Sequence, residues 1–257
     1  MARTRFVKSQ AEIDAFRLVQ ATPEFLDIWS LSVNFLSDED VVAELLPPPL
    51  VPAREPRMSV AVSEIGRSNC GGPFNGASIN IACRFRDEEG LYCLTMPMST
   101  DTAVTFGREL YAEPQKLADI SLDRRGANVH GTVTRHGVTY IELSGRFEDE
   151  LQQVGRHALG KHFYFRYLPA PDGGGLSDAL ELICVTYSTT THELVRGGGT
   201  IVFRESRHDP VIDIPVVSIA GAVFSRSETH TTAKVVARVP AAQFLPFAFG
   251  KMDDLPA

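Results

Sequence analysis

Residues 107–118, GRELYAEPQKLA, concentrate side chains capable of chemistry in twelve residues. A glutamate, Glu113, precedes a proline, and Gln115 and Lys116 follow it. Lys116 stands out because the chain has five lysines against twenty arginines. A carboxyl group can transfer protons, and a neutral lysine amine can attack a carbonyl carbon. On composition alone, a solvent-exposed lysine beside a turn is the simpler interpretation of Lys116.

The elements that must position this run are mainly strands. Period-two alternation with β-branched and aromatic residues predicts strands over residues 58–64, 78–85, 91–98, 129–135, 137–147, 162–168, 180–193, 199–205, 216–225 and 230–239. The tripeptide from Arg135 to Gly137 predicts a hairpin turn. Glycine-rich segments at 171–175 and 196–199 predict further turns. The pattern indicates a mainly β (α+β) fold, an antiparallel barrel that is closed or nearly closed, with a few short helices.

Two helices are predicted near the N-terminus. The apolar spacing of AEIDAFRLVQ is typical of a helix, and Ser37, followed by Asp-Glu-Asp, predicts the start of a second helix. The prolines at 47–49 must end it. We expect residues 1–27 to form a helical arm that packs on a neighbour, and residues 28–257 to form a single β-rich domain.

Composition and missing motifs exclude several classes of function. The net charge of −7 and the lack of a basic stripe argue against nucleic-acid binding. There is no run of 18 apolar residues and no signal-peptide pattern, so we expect no membrane partner and a cytoplasmic location. No phosphate-binding glycine motif or H-E-x-x-H motif occurs, so we expect no cofactor and no metal. The four cysteines are predicted to be reduced structural thiols.

The run at 107–118 resembles a segment of the acetoacetate decarboxylase family, which carries G-R-E-[LIV]-x-x-x-P-K-K-[LI]. Other family elements resemble LLPPPL at 45–50, YLPAPDGGG at 167–175, THELVRGGGT at 191–200 and DIPV at 213–216. The order and spacing hold from about residue 28 to about residue 240. The resemblance implies a cone-shaped or double β-barrel with an apolar cavity in its middle, and homo-oligomeric assembly.

The sequence departs from the family at the position that matters most for chemistry. The resemblance implies that the first lysine after the proline forms a Schiff base, and that position is Gln115. An amide cannot form an imine. A family arginine falls near Ile28 and a family glutamate near Asn75 or Gly76, so two further polar partners are replaced.

Two mechanisms stay open for this site. In the first, Lys116 forms the imine and Gln115 orients the substrate. In the second, Gln115, Glu113 and Arg108 support acid–base chemistry without a covalent intermediate. Both are compatible with a lyase (aldolase, dehydratase, hydratase or cyclising enzyme) that acts on a small or medium keto acid or related carbonyl compound, rather than with acetoacetate decarboxylation. A protein that only binds a small hydrophobic acid is the alternative.

These considerations fix the predicted site residues. The predicted catalytic residues are Lys116, Gln115 and Glu113, and the predicted substrate-binding residues are Arg108, Glu109, Asn75 and Met96. We expect Arg108 to bind the carboxylate of a keto acid through two hydrogen bonds. For Arg108 and Glu109 a structural role also fits, since adjacent opposite charges often anchor a loop.

Overall fold

Strands make up most of the chain. A computed structural model describes residues 4–176 and 180–254. In those residues the strands are β1 Glu24–Leu36, β2 Val51–Pro52, β3 Arg57–Ser68, β4 Phe74–Phe85, β5 Glu88–Met98, β6 Gln115–Leu117, β7 Asp119–Arg125, β8 Asn128–Arg135, β9 Val138–Arg146, β10 Gln152–Arg166, β11 Glu181–Phe203 and β12 Ser218–Arg238. The α-helices are α1 Gln10–Ala21, α2 Glu39–Leu45, α3 Asp101–Tyr111 and α4 Ala241–Phe244, and short 3₁₀ helices cover Val211–Asp213 and Leu245–Phe247. The predicted mainly β fold with a few short helices is confirmed.

Seven of the strands form a closed ring. Neighbours follow the order β10, β5, β4, β3, β1, β12, β11, and β10 also pairs with β11. These pairings are antiparallel except for the parallel pair β10 and β5. Closure removes free strand edges, and inward-facing side chains fill or line the interior. The pairing agrees with the closed antiparallel barrel expected from the sequence.

Strand β11 also belongs to a second sheet, in which it is followed by β9, β8 and β7. It pairs with β12 as far as Gly197 and with β9 from Gly198 onwards. The turn predicted at 196–199 is therefore wrong, and one strand replaces the two predicted there. A Cβ on Gly197 would lie 2.1 Å from the Arg146 carbonyl oxygen, and one on Gly199 would lie 2.7 Å from the Ala222 Cβ. These glycines permit close packing where the strand passes between sheets.

Other turns and strands follow or extend the predictions. The β8–β9 hairpin is confirmed, with His136 at φ 49° and Gly137 at φ 78°, as a two-residue hairpin turn requires. Strand β12 joins the two strands predicted at 216–225 and 230–239. Strands β1 and β7 lie where the sequence analysis assigned none.

The N-terminal helices differ slightly from prediction. Helix α1 has no buried residue, and β1 begins at Glu24, inside the expected arm; the packing of the arm on a neighbour stays a prediction. Helix α2 begins later than predicted, because Asp38 rather than Ser37 is its N-cap and accepts hydrogen bonds from the backbone N–H groups of Asp40 and Val41. In residues 4–176 and 180–254, no helix is long and apolar enough to cross a bilayer.

Candidate active site

A cavity of about 210 Å³, called here the first cavity, lies between the ring strands and helix α3. Most of its lining is apolar, as in the cluster that Ile65, Phe74 and Ala103 form with their neighbours. Glu113 supplies a carboxyl group to the lining, and no lysine, arginine or histidine of the described chain lines it. The polar residues that line it are Ser63, Cys70, Ser78, Tyr111, Glu113, Gln115, Tyr187, Thr229 and Thr231.

The connection from α3 to β6 brings the candidate catalytic residues to this cavity. Helix α3 ends at Tyr111, and its C-cap residue Ala112 has a φ of 57° and donates its N–H to the Arg108 carbonyl. Strand β6 then pairs in parallel with β5, which sets Gln115 beside Met96. Successive side chains of a strand point to opposite faces. Gln115 therefore lines the cavity, and Lys116 faces away from it.

Glu113 and Gln115 form a buried pair at the cavity wall. The Gln115 Nε2 atom donates to Glu113 Oε2 at 2.6 Å and lies 3.4 Å from the Met96 sulfur. Gly107 makes room for both side chains, because a Cβ there would lie 2.3 Å from Gln115 Nε2 and 2.3 Å from Glu113 Oε2. The glycine that opens the predicted motif thus has a packing role in the site.

Two tyrosines extend the hydrogen-bond network of Glu113. The Tyr187 hydroxyl donates to Glu113 Oε1 at 3.4 Å, and the Tyr164 and Tyr187 hydroxyl oxygens are 3.0 Å apart. Burial raises the pKa of both tyrosines well above the ordinary value, so both stay neutral donors. Tyr111 and Thr231 add a further pair of hydroxyl groups, 3.5 Å apart.

The environment of Glu113 suits proton transfer near neutral pH. Burial raises the pKa of Glu113 to about 7, although the hydrogen bonds from Tyr187 and Tyr164 act in the opposite direction. A carboxyl group with such a pKa can both accept and return a proton. The buried Oε1 of Gln115 accepts no hydrogen bond from a residue that the structure describes. If the amide rotated by half a turn, this oxygen would face Glu113, so Gln115 can bond to either protonation state.

Lys116 lies in a buried ion cluster outside the first cavity. Its Nζ donates to the His208 carbonyl at 2.7 Å and to Asp209 Oδ1 at 3.1 Å, and is 3.5 Å from Asp253 Oδ1. Arg135 also donates to Asp209, at 2.6 Å. Because 5% of the Lys116 side chain is exposed, the solvent-exposed interpretation is wrong. The structure does not bring Lys116 together with Glu113 and Gln115.

Two of the predicted substrate-binding residues lie on α3 but outside the lining of the first cavity. The helix turns Gly107 and Tyr111 towards the cavity, so Arg108 and Glu109 lie on other faces. The Arg108 Nη1 donates to the backbone carbonyl of Gln115 at 3.3 Å, and Glu109 is exposed. Arg108 therefore braces the start of β6, in agreement with the structural alternative considered for it.

Of the other two predicted substrate-binding residues, one lines the first cavity and one does not. Met96 lines the first cavity. Asn75 does not line it, because its amide donates to the Ile120 carbonyl at 2.9 Å, and the cavity wall at this point is Gly76.

Sequence reasoning missed the tyrosines of the site. Tyr164 and Tyr187 lie in the strands predicted over residues 162–168 and 180–193. The sequence does not show that the register of β10 and β11 brings the two hydroxyl groups together beside Glu113. In the described residues, no three His, Cys, Asp or Glu side chains are grouped as metal ligands would be.

Comparison with known proteins agrees with the fold and with the sequence motifs. The family model described as acetoacetate decarboxylase matches residues 15–239. The chain is 25% identical over 242 residues to a CLA biosynthesis isomerase of Lactiplantibacillus plantarum, covering 87% of this chain and 85% of the relative. A solved acetoacetate decarboxylase of Legionella pneumophila superposes with a TM-score of 0.76 at 17% identity, covering 84% of this chain and 87% of that one. The enduracididine biosynthesis enzyme MppR complexed with pyruvate gives 0.71 at 15% identity, covering 84% and 90%. The chain belongs to the acetoacetate decarboxylase family.

Proposed function

We propose that this protein is an enzyme that catalyses proton transfer next to a carbonyl group, without an imine intermediate. Glu113 is the acid–base residue. The observation that carries the proposal is its buried carboxyl group in the first cavity, with a pKa of about 7 and hydrogen bonds from Gln115 and Tyr187. Among the described residues, no lysine amine lines that cavity to attack a carbonyl carbon.

The reaction begins when the Glu113 carboxylate removes a proton from the carbon next to the carbonyl group. The electron pair moves onto the carbonyl oxygen, and a hydroxyl group of the cavity such as that of Tyr111 donates a hydrogen bond to it. Glu113 then returns the proton. Return of the proton to a different carbon of an unsaturated substrate shifts the double bond. Transfer of the same proton to a β-hydroxyl group, as the enolate expels that group, releases water and gives dehydration.

Isomerisation is the outcome that one carboxyl group serves most directly, because the same group takes and returns the proton. The similarity to a protein described as an isomerase supports this choice. Dehydration and its reverse, hydration, share the first step and belong to the lyase chemistry expected from the sequence. Decarboxylation through an imine needs an amine, and none of the described residues that line the cavity carries one, so we expect negligible acetoacetate decarboxylase activity.

The residues that line the first cavity also limit the charge of the substrate group that can bind there. A carboxylate next to Glu113 would meet no cation among the described lining residues and would be repelled by the ionised acid. The portion of the substrate that enters the first cavity is therefore an uncharged carbonyl group with an apolar chain.

Exchange of carbon-bound hydrogen tests the proposal. In D₂O, the wild-type protein should speed loss of the α-proton signals of 2-heptanone in the NMR spectrum, and Glu113→Gln should lose this activity. Loss of a general base costs roughly 10²–10⁴-fold. The matched control is Glu89→Gln, since Glu89 is an exposed carboxylate. Equal exchange by Glu113→Gln would overturn the role of Glu113. Saturable 2-heptanone binding without exchange would indicate a binding protein.

A further inference from the structure

A second cavity, of about 390 Å³, lies between α2, β5, β10 and the C-terminal segment. The two cavities lie on opposite sides of the connection after α3: Tyr111 and Glu113 line the first, whereas Ala112 and Pro114 line the second. Aromatic side chains form much of the wall of the second cavity: Tyr92, Tyr164, Phe165, Tyr167, Phe244 and Phe247.

Lys251 supplies a positive charge to the second cavity. Its Nζ stands 4.1 Å from the centre of the Tyr167 ring, and no carboxylate of the described residues forms an ion pair with it. Burial and then the nearby Arg108 lower the pKa of Lys251 to about 8, with Glu109 acting in the opposite direction. Arg108 itself is bonded to a backbone carbonyl. Buried cations are usually paired, whereas neither Lys251 nor Arg108 forms an ion pair with a carboxylate of the described residues.

The polar groups that line the second cavity favour a ligand that carries a hydrogen-bond acceptor. The Tyr92 hydroxyl group makes no hydrogen bond within residues 4–176 and 180–254, and Tyr92 lines the cavity. The Tyr167 hydroxyl group is already bonded to the Ala248 carbonyl. Glu44 also lines the cavity, but it is exposed and can turn towards solvent.

We propose that the second cavity binds an amphipathic carboxylate. Its apolar body packs on the rings of Phe165, Phe244 and Phe247, and its carboxylate accepts a hydrogen bond from Lys251, with Arg108 adding positive potential. A carboxylate thus finds here the positive charge that the lining of the first cavity lacks. No covalent step is involved.

Isothermal titration calorimetry with phenylacetate and phenylacetamide tests this site, because the two compounds share the ring and differ in charge. We expect the wild-type protein to bind phenylacetate more tightly than phenylacetamide. Lys251→Met should weaken phenylacetate binding by at least about tenfold, as loss of a charge-assisted hydrogen bond does. The matched control is Lys234→Met, because Lys234 is an exposed lysine of strand β12.

Glu113→Gln separates this site from the first cavity and should leave phenylacetate binding unchanged. The proposal is overturned if phenylacetate does not bind, if phenylacetamide binds as tightly, or if Lys251→Met binds phenylacetate like the wild type. Loss of binding in Glu113→Gln would also overturn it, because the ligand would then occupy the first cavity. None of these outcomes depends on turnover.

Discussion

The Gln115 amide nitrogen lies 2.6 Å from Glu113 Oε2, so an amide, and not an amine, contacts the buried acid of the first cavity. An ammonium group at this distance would hold the carboxyl group in its ionised form. A neutral amide leaves burial as the dominant influence on Glu113 and allows its pKa to rise to about 7. An amide at position 115, where the family pattern has a lysine, is therefore also what lets Glu113 titrate near neutral pH.

Gln115→Lys should reverse this effect. A positive charge beside a carboxyl group lowers its pKa by about 1–3 units. The lower limb of the pH–rate profile for exchange of 2-heptanone should then move to lower pH, because Glu113 must be ionised to accept the proton. The same variant should give a borohydride-trapped adduct that the wild-type protein does not. An unchanged profile would mean that Glu113 is not the group whose ionisation controls the rate.

Glu113 should also make stability depend on pH. Its pKa in the folded protein, about 7, lies above its ordinary value of 4.5, so its contribution is fully present below about pH 4.5 and is lost as the pH rises through 7. Relative to wild type, Glu113→Gln should therefore gain up to about 3 kcal/mol in free energy of unfolding between pH 4 and pH 8. Urea denaturation at both pH values measures the difference. A constant difference across this range would contradict the raised pKa.

Lys116→Met should affect stability more than catalysis. It removes a cation from buried Asp209, which is 3% exposed and keeps Arg135 as its remaining partner. Breaking a buried ion pair costs about 3 kcal/mol or more. Lys161→Met is the control, because its pair with Glu88 is largely exposed and should cost less than about 1 kcal/mol.

Measuring the exchange activity of Lys116→Met distinguishes a structural role of Lys116 from imine formation by Lys116. Folded Lys116→Met should keep exchange of 2-heptanone within about tenfold of wild type, well below the cost of losing a general base. A borohydride-trapped adduct in the wild type that disappears in this variant would instead establish Lys116 as the imine-forming residue.

The sequence was sufficient to predict the strand-rich fold. Glu113 and Gln115 were also predicted from the sequence as members of one site, and their side chains are hydrogen-bonded to each other. The sequence could not predict which way the Lys116 side chain points. Strand β6 has only three residues, and its pairing with β5 determines which side chains face the cavity. The sequence also could not predict the contact of Tyr187 with Glu113, because that contact depends on where strand β11 lies in the ring.

Gly107→Ala should disturb the site through packing alone. The added methyl group would lie 2.3 Å from both Gln115 Nε2 and Glu113 Oε2, and both of these side chains are buried, so they would have to shift. We expect a loss of about 1–3 kcal/mol in free energy of unfolding, typical of overpacking, measured by urea denaturation. Exchange of 2-heptanone should also fall, because the Glu113–Gln115 hydrogen bond must move.

Gly198→Ala provides the control for this change, because a Cβ at Gly198 meets no atom within 4 Å. It should leave both exchange activity and stability near wild type, as surface substitutions usually do. The comparison isolates contact with Glu113 and Gln115 from the general effect of replacing a glycine. If the two variants behaved alike, Gly107 would have no specific role in positioning the acid, and the hydrogen bond between Glu113 and Gln115 would not depend on the close approach of α3.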